Sequence, residues 1–132
     1  MPLPDLLINR YTDWKEINFK SKKNIFKKIA NKKQKPKAMI ISCCDSRVLE
    51  NEIFKAEIGD YFIHKNISNL VPPYNKKKYN CNTAASIEYA VKELNVKDIL
   101  IMGHSNCGGI NHAYRCFYKK NKTIKNDFVT KW

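Results

Sequence analysis

The sequence predicts an α/β fold: a mainly parallel central sheet flanked by helices. Three observations predict it. Short, largely apolar runs occur at 38–43, 61–64 and 99–102, as expected of strands buried on both faces of a parallel sheet. A segment of helical periodicity, 83–95, lies between the second and third runs, where a parallel crossover requires it. The residues richest in chemistry, Cys43-Cys44-Asp45-Ser46-Arg47 and His104-Ser105-Asn106-Cys107, each follow the end of an apolar run. Open α/β sheets gather their ligands at such strand ends.

The elements follow in order. Segment 4–31 reads as one or two amphipathic helices, with Leu6, Leu7, Tyr11 and Trp14, then Ile25, Phe26 and Ile29, at helical spacing. Gln34-Lys35-Pro36 breaks the pattern, and 38–43 is the first strand. A short helical turn is expected at 48–54, a second strand at 61–64, and a loop at 69–79 marked by Pro72-Pro73 and a lysine run. In the helix at 83–95, Ala84, Ile87, Val91 and Leu94 form one stripe, with Asn82 as N-cap. The third strand, 99–102, ends at Gly103-His104, and Gly108-Gly109 opens a last helix at 110–119. One domain is expected over 1–132, with a helical arm at about 4–33 and an α/β core at about 37–120.

Composition narrows the class. With 132 residues, 43% hydrophobic and 28% charged, the chain is in the ordinary globular range. No apolar run approaches the ~20 residues of a membrane span, so no membrane partner is expected. The first residues lack a basic stretch followed by a long apolar one, which makes a poor signal peptide and points to the cytoplasm. The five cysteines, Cys43, Cys44, Cys81, Cys107 and Cys116, are odd in number and unevenly spaced, unlike a disulfide framework. The net charge of +13 invites a nucleic-acid reading. However, only Arg10, Arg47 and Arg115 are arginines, and base-reading proteins favour the arginine fork. The lysines, including Lys32-Lys33 and Lys76-Lys77-Lys78, read as solvated surface, and no specific nucleic acid is expected.

Cys43, His104 and Cys107 make a set of three metal ligands. Two thiolates and an imidazole suit Zn2+ and argue against magnesium or calcium, while residue types alone leave iron and cobalt open. Cys43 and Cys44 point to opposite sides of an extended strand and do not share one ion. Three protein ligands with a fourth position open to water is the pattern of catalytic zinc. Asp45 has two roles open to it: hydrogen-bonding the water, or filling the fourth position as a further ligand in a closed state. Arg47 decides between them, because a guanidinium gripping the carboxylate holds it off the metal. Alternate residues face one side of extended backbone, which lets the two meet. Cys81 and Cys116 read as packing residues, and His64 and His112 as packed or surface histidines.

These residues resemble the β-class carbonic anhydrases. The family pattern Cys-x-Asp-Ser-Arg is present at Cys43 to Arg47, and His-x-x-Cys-Gly-Gly at His104 to Gly109. Asn66-Ile67-Ser68-Asn69-Leu70-Val71-Pro72-Pro73 and Ser86-Ile87-Glu88-Tyr89-Ala90-Val91 also resemble family stretches. The resemblance implies reversible hydration of CO2 to bicarbonate and a proton by attack of zinc-bound hydroxide, with Asp45 and Arg47 as the catalytic dyad. It implies a substrate pocket of Gln34, Phe62, Tyr89 and Gly108, shared with a second subunit in a homodimer or higher oligomer. Phe62 and Tyr89 fit plain core packing equally well. The Trp that marks bicarbonate-regulated members, three residues before the first cysteine, is Ile40 here. The family's Arg before Asn66 is Lys65, and the family's carboxyl-terminal helices and strand are missing after Trp132. The expectation is therefore a chain truncated at its C-terminal end. The alternatives to CO2 hydration are a catalytically impaired, truncated zinc-binding remnant, or a related carbonyl sulfide or carbon disulfide hydrolase.

Overall fold

The computed structural model describes residues 3–75, 81–118 and 127–132. The chain divides into two compact units, Met1–Gln34 and Lys35–Trp132.

In the first unit, helix α1 (Asp5–Trp14) runs through a wider π turn (Lys15–Phe19) before helix α2 (Lys23–Ala30). Aromatic rings hold them together. Phe26 meets Phe19 at a centroid distance of 5.1 Å and Trp14 edge-on at 6.0 Å. Such pairs add to simple area burial. Leu6, Leu7, Tyr11 and Ile17 remain exposed.

The second unit is built on a three-stranded parallel sheet. Strands β1 (Ala38–Cys43), β2 (Tyr61–Asn66) and β3 (Ile99–Met102) stand in the order β2-β1-β3. Helix α3 (Glu50–Ile53) lies in the crossover from β1 to β2. Helix α4 (Asn82–Glu88), prolonged by a π turn (Tyr89–Glu93), lies in the crossover from β2 to β3. Helix α5 (Gly108–Phe117) follows β3, and α6 (Asp127–Lys131) ends the chain. β1 is the central strand, so its Met39, Ile40 and Ile41 are fully buried. Met39 and Ile41 pack with Ala90, Leu94 and Val96, and with the partly buried Phe62 and Ile87.

Three local expectations change. β3 forms an edge of the sheet among the described residues, so Ile99, Leu100 and Ile101 stay about half exposed rather than covered on both faces. The buried stripe of α4 is rotated. Thr83 and Ala90 face inward while Val91 stays outside, because the Thr83 hydroxyl joins His64 and Asn66 and the small Ala90 admits close approach to the sheet. The cap is Cys81, whose sulfur accepts the Ala84 N–H at 3.5 Å, and Asn82 is already helical. His64 is a packed histidine, its Nε2 3.0 Å from Thr83 Oγ1 and its Nδ1 3.1 Å from Ser86 Oγ. Lys32 and Lys33 are exposed. Lys76-Lys77-Lys78 and the expected helix end at Lys119 lie outside the described residues. Among the described residues no helix is long and apolar enough to cross a membrane.

Met39 is the centre of this core. Met39→Ala is expected to lower unfolding free energy by about 2–5 kcal/mol, read as a fall in the urea midpoint.

Candidate metal centre

Ser42 of β1 lies opposite Met102 of β3, so the chain leaves the sheet at Cys43 and at Gly103-His104 side by side. A tight turn then returns the chain. Its Asn106 has φ 54°, a left-handed conformation that asparagine tolerates better than most residues. The turn delivers Cys107 to the N-cap of α5. The ligand atoms of Cys43, His104 and Cys107 all lie within 4.8 Å of one another. Among the described residues, no other group of three such side chains converges in this way.

The geometry and protonation of this cluster fit zinc. Its sulfurs are 3.8 Å apart, and a tetrahedral ion with zinc–sulfur bonds of about 2.3 Å spaces them about 3.8 Å apart. His104 Nδ1 lies 2.9 Å from the Ser105 carbonyl oxygen. A carbonyl only accepts, so Nδ1 carries the proton and Nε2 the lone pair. That Nε2 is buried without a hydrogen-bond partner, and a cation among the three ligands would satisfy it. Burial pushes the Cys107 thiol up. Hydrogen bonds with the Ile110 backbone N–H, Ser68, Cys43 and the Gly109 N–H more than offset this, and its pKa falls to about 7. A thiol at a helix N-terminus is stabilised as thiolate in this way.

Asp45 stands beside the cluster, its Oδ2 3.9 Å from His104 Nε2. Arg47 grips it with both arms: Nε donates to Oδ1 and Nη2 to Oδ2, each at 2.8 Å. The Arg47 backbone N–H also donates to Oδ1, at 3.0 Å. The pair therefore meets through a turn closed by the carboxylate, not through extended backbone. The Arg47 side chain, then its backbone N–H, hold the Asp45 carboxyl well below the usual carboxylate range against a smaller effect of burial. Cys44 is exposed and outside the cluster.

Two clefts border His104. One, of about 250 Å³, is lined by Arg47, Val48, Ile53, Met102 and the 103–105 turn. The other, of about 520 Å³, runs along Asn106, Cys107, Ile110, Asn111 and Tyr114. Neither is lined by Phe62 or Tyr89, which meet each other at 5.8 Å. Phe62 packs on the core and Tyr89 is 45% exposed. Gly108 is the first residue of α5, with open space where a Cβ would be. Gln34 is the exposed last residue of the first unit.

Sequence reasoning assigned no role to Ser68. It is buried at φ 66°, with its hydroxyl 3.9 Å from the Cys107 sulfur. The turn Ile67–Asn69 lies so close to α5 that a Cβ on Gly109 would sit 2.0 Å from Ser68 Oγ and 2.7 Å from Ile67 Cγ2. Gly109 therefore serves this close approach. The stretch from Asn66 to Pro73 was visible as a family likeness, and nothing in its spacing marked one hydroxyl as a neighbour of sulfur.

Comparison with known proteins agrees with the motifs. Residues 38–132 match the family described as Carbonic anhydrase. Beta carbonic anhydrase 3 of Arabidopsis thaliana is 36% identical over 122 residues, which are 92% of this chain and 46% of that protein. Carbonic anhydrase of Helicobacter pylori (strain J99 / ATCC 700824) is 32% identical over 124 residues, 94% of this chain and 52% of that protein. Among solved structures, the β-carbonic anhydrase CcaA superposes with a TM-score of 0.84 at 30% identity, covering 97% of this chain and 55% of that one. One of two tetrameric β-carbonic anhydrases from Sordaria macrospora gives 0.77 at 32% identity, covering 97% and 59%. The chain belongs to the carbonic anhydrase family, in its β-class. It spans about half the length of the curated relatives it matches.

Cys107→Ser removes a candidate soft ligand, and the purified variant is expected to hold much less zinc than the unmutated chain. Metal content equal to that of the unmutated chain would count against ligation. Gly109→Ala is expected to cost about 1–3 kcal/mol by overpacking, measured by chemical denaturation.

Proposed function

We propose that the chain catalyses the reversible hydration of CO2 to bicarbonate and a proton, with zinc held by Cys43, His104 and Cys107. The observation that carries this reading is the ionised Asp45, locked by Arg47 next to a ligand cluster whose histidine nitrogen is unpartnered. Zinc, when bound, supplies the Lewis acidity that makes a water nucleophilic near neutral pH.

The chain's own groups supply the rest. Held as an anion, Asp45 only accepts hydrogen bonds. It therefore orients an O–H so that a lone pair on that oxygen is directed at the CO2 carbon. Arg47 occupies both carboxylate oxygens and keeps them off the metal position. Val48, Ile53 and Met102 give the smaller cleft apolar walls, which suit an uncharged linear gas better than water.

By family resemblance, Gln34, Phe62, Tyr89 and Gly108 complete the substrate pocket. In the family, part of that pocket comes from a second subunit, so a homodimer or larger assembly is implied. The Sordaria macrospora relatives are described as tetrameric. Reduced cysteines and CO2 chemistry suit the cytoplasm.

A stopped-flow CO2 hydration assay on zinc-quantified protein tests the reading. Zinc-loaded protein without turnover would select the impaired-remnant alternative, and turnover of carbonyl sulfide or carbon disulfide instead of CO2 would select the hydrolase. Asp45→Ala is expected to keep its zinc and lose on the order of a hundredfold in kcat. Unchanged hydration in that variant would refute the role given to Asp45.

A further inference from the structure

A charged cluster beneath the Asp45 turn has no part in the chemistry above. Glu50, at the start of α3, is only 5% exposed. Its Oε1 accepts the Ser42 hydroxyl, and Lys65 Nζ at 2.7 Å. Lys65 Nζ also donates to the Val48 carbonyl oxygen at 2.7 Å. Ser42 and Lys65 are register partners on β1 and β2, so Glu50 bridges two adjacent strands. Burial pushes the Glu50 carboxyl up, and hydrogen bonds from Lys65 and Ser42 bring it below its ordinary value, keeping it an anion for the lysine.

We propose that Ser42, Glu50 and Lys65 form a staple that sets the position of the Asp45–Arg47 pair, with Glu50 and Lys65 as positioning residues. The inference rests on the reading of Asp45 as the group that orients the nucleophile. The chain between Ser42 and Glu50 holds Cys43, Asp45 and Arg47. The staple pins it at Ser42, at the Val48 carbonyl and at Glu50. The Cys44 N–H adds a fourth anchor at the Asn66 carbonyl, 3.0 Å away. Within the segment, the Val48 N–H donates to the Asp45 carbonyl at 3.0 Å, so a displacement of Val48 is passed directly to Asp45. An ion pair with Glu50 buried but the Lys65 side chain 33% exposed adds little net stability. This one joins both ends of a single turn, and its service is positional.

Lys65→Met keeps the stem and removes the donors. Glu50→Gln is the milder variant, and it carries the test if Lys65→Met does not fold. Lys65→Arg restores charge and donors. The first readout is independent of turnover: solvent exchange of the Arg47 Nε–H, followed by NMR in zinc-loaded protein. Exchange is expected to quicken by about tenfold or more in Lys65→Met and to recover in Lys65→Arg. The second is CO2 hydration, where kcat is expected to fall by about tenfold or more with zinc content and KM little changed. Added to Asp45→Ala, Lys65→Met is expected to cause no further loss, because the two act as one unit.

An unaltered Arg47 signal in both Lys65→Met and Glu50→Gln overturns the staple, as does full additivity with Asp45→Ala. If the Arg47 signal responds while the unmutated zinc protein shows no CO2 hydration, the staple stands and the functional reading fails.

Discussion

The parallel pairing of β1 with β3 is the constraint on which the site depends. Met39 to Ser42 run beside Ile99 to Met102 in unbroken register, and both strands end at the same edge of the sheet. Cys43 and His104 come from chain positions 61 residues apart, yet the backbone ladder sets them side by side. A slip of one residue would turn Cys43 to the opposite face. Burial of Met39 and Ile41 against Ala90 and Leu94 prevents that slip, so core packing and ligand placement are one restraint. Cys107 needs less: one left-handed asparagine and the start of a helix bring it back to its partners.

Charge around the site is arranged in two tiers. In the upper tier, Arg47 faces solvent and neutralises Asp45, whose carboxylate lies 3.9 Å from His104 Nε2. In the lower tier, the partly exposed Lys65 neutralises the buried Glu50. Each anion has its own cation within hydrogen-bond distance. The remaining polar groups near the second strand are similarly engaged. His64, Thr83, Ser86 and Asn66 hydrogen-bond in sequence, tying β2 to α4. Asn66 also closes the turn to Leu70 through both its amide atoms.

The strands and the convergence of Cys43, His104 and Cys107 were legible because their signals are local. An apolar run such as Met39-Ile40-Ile41 announces burial, and a histidine three residues before a cysteine, after a strand, announces convergence. The Asp45–Arg47 contact was legible from spacing, although its backbone basis was not: the carboxylate caps its own turn. Features depending on long-range register were hidden. Ser42 and Lys65 become neighbours only once β1 and β2 align, and Ser68 meets Cys107 only because Gly109 removes a side chain. The stripe of α4 was misread because hydrophobicity placed Val91 inward, whereas a hydroxyl at Thr83 and a methyl at Ala90 set the helix orientation.

The restrained sulfur pair also has a bearing on ion choice. Cys43 is anchored in the central strand and Cys107 at a helix end, with 3.8 Å between their sulfurs. A thiophilic ion of greater radius must spread the two sulfurs, which strains a close-packed sheet end. The imidazole, already committed to the tautomer that ligation demands, adds no rearrangement of its own. The spacing of these donors is thus held by backbone, at a strand end and a helix start, and not by flexible side chains.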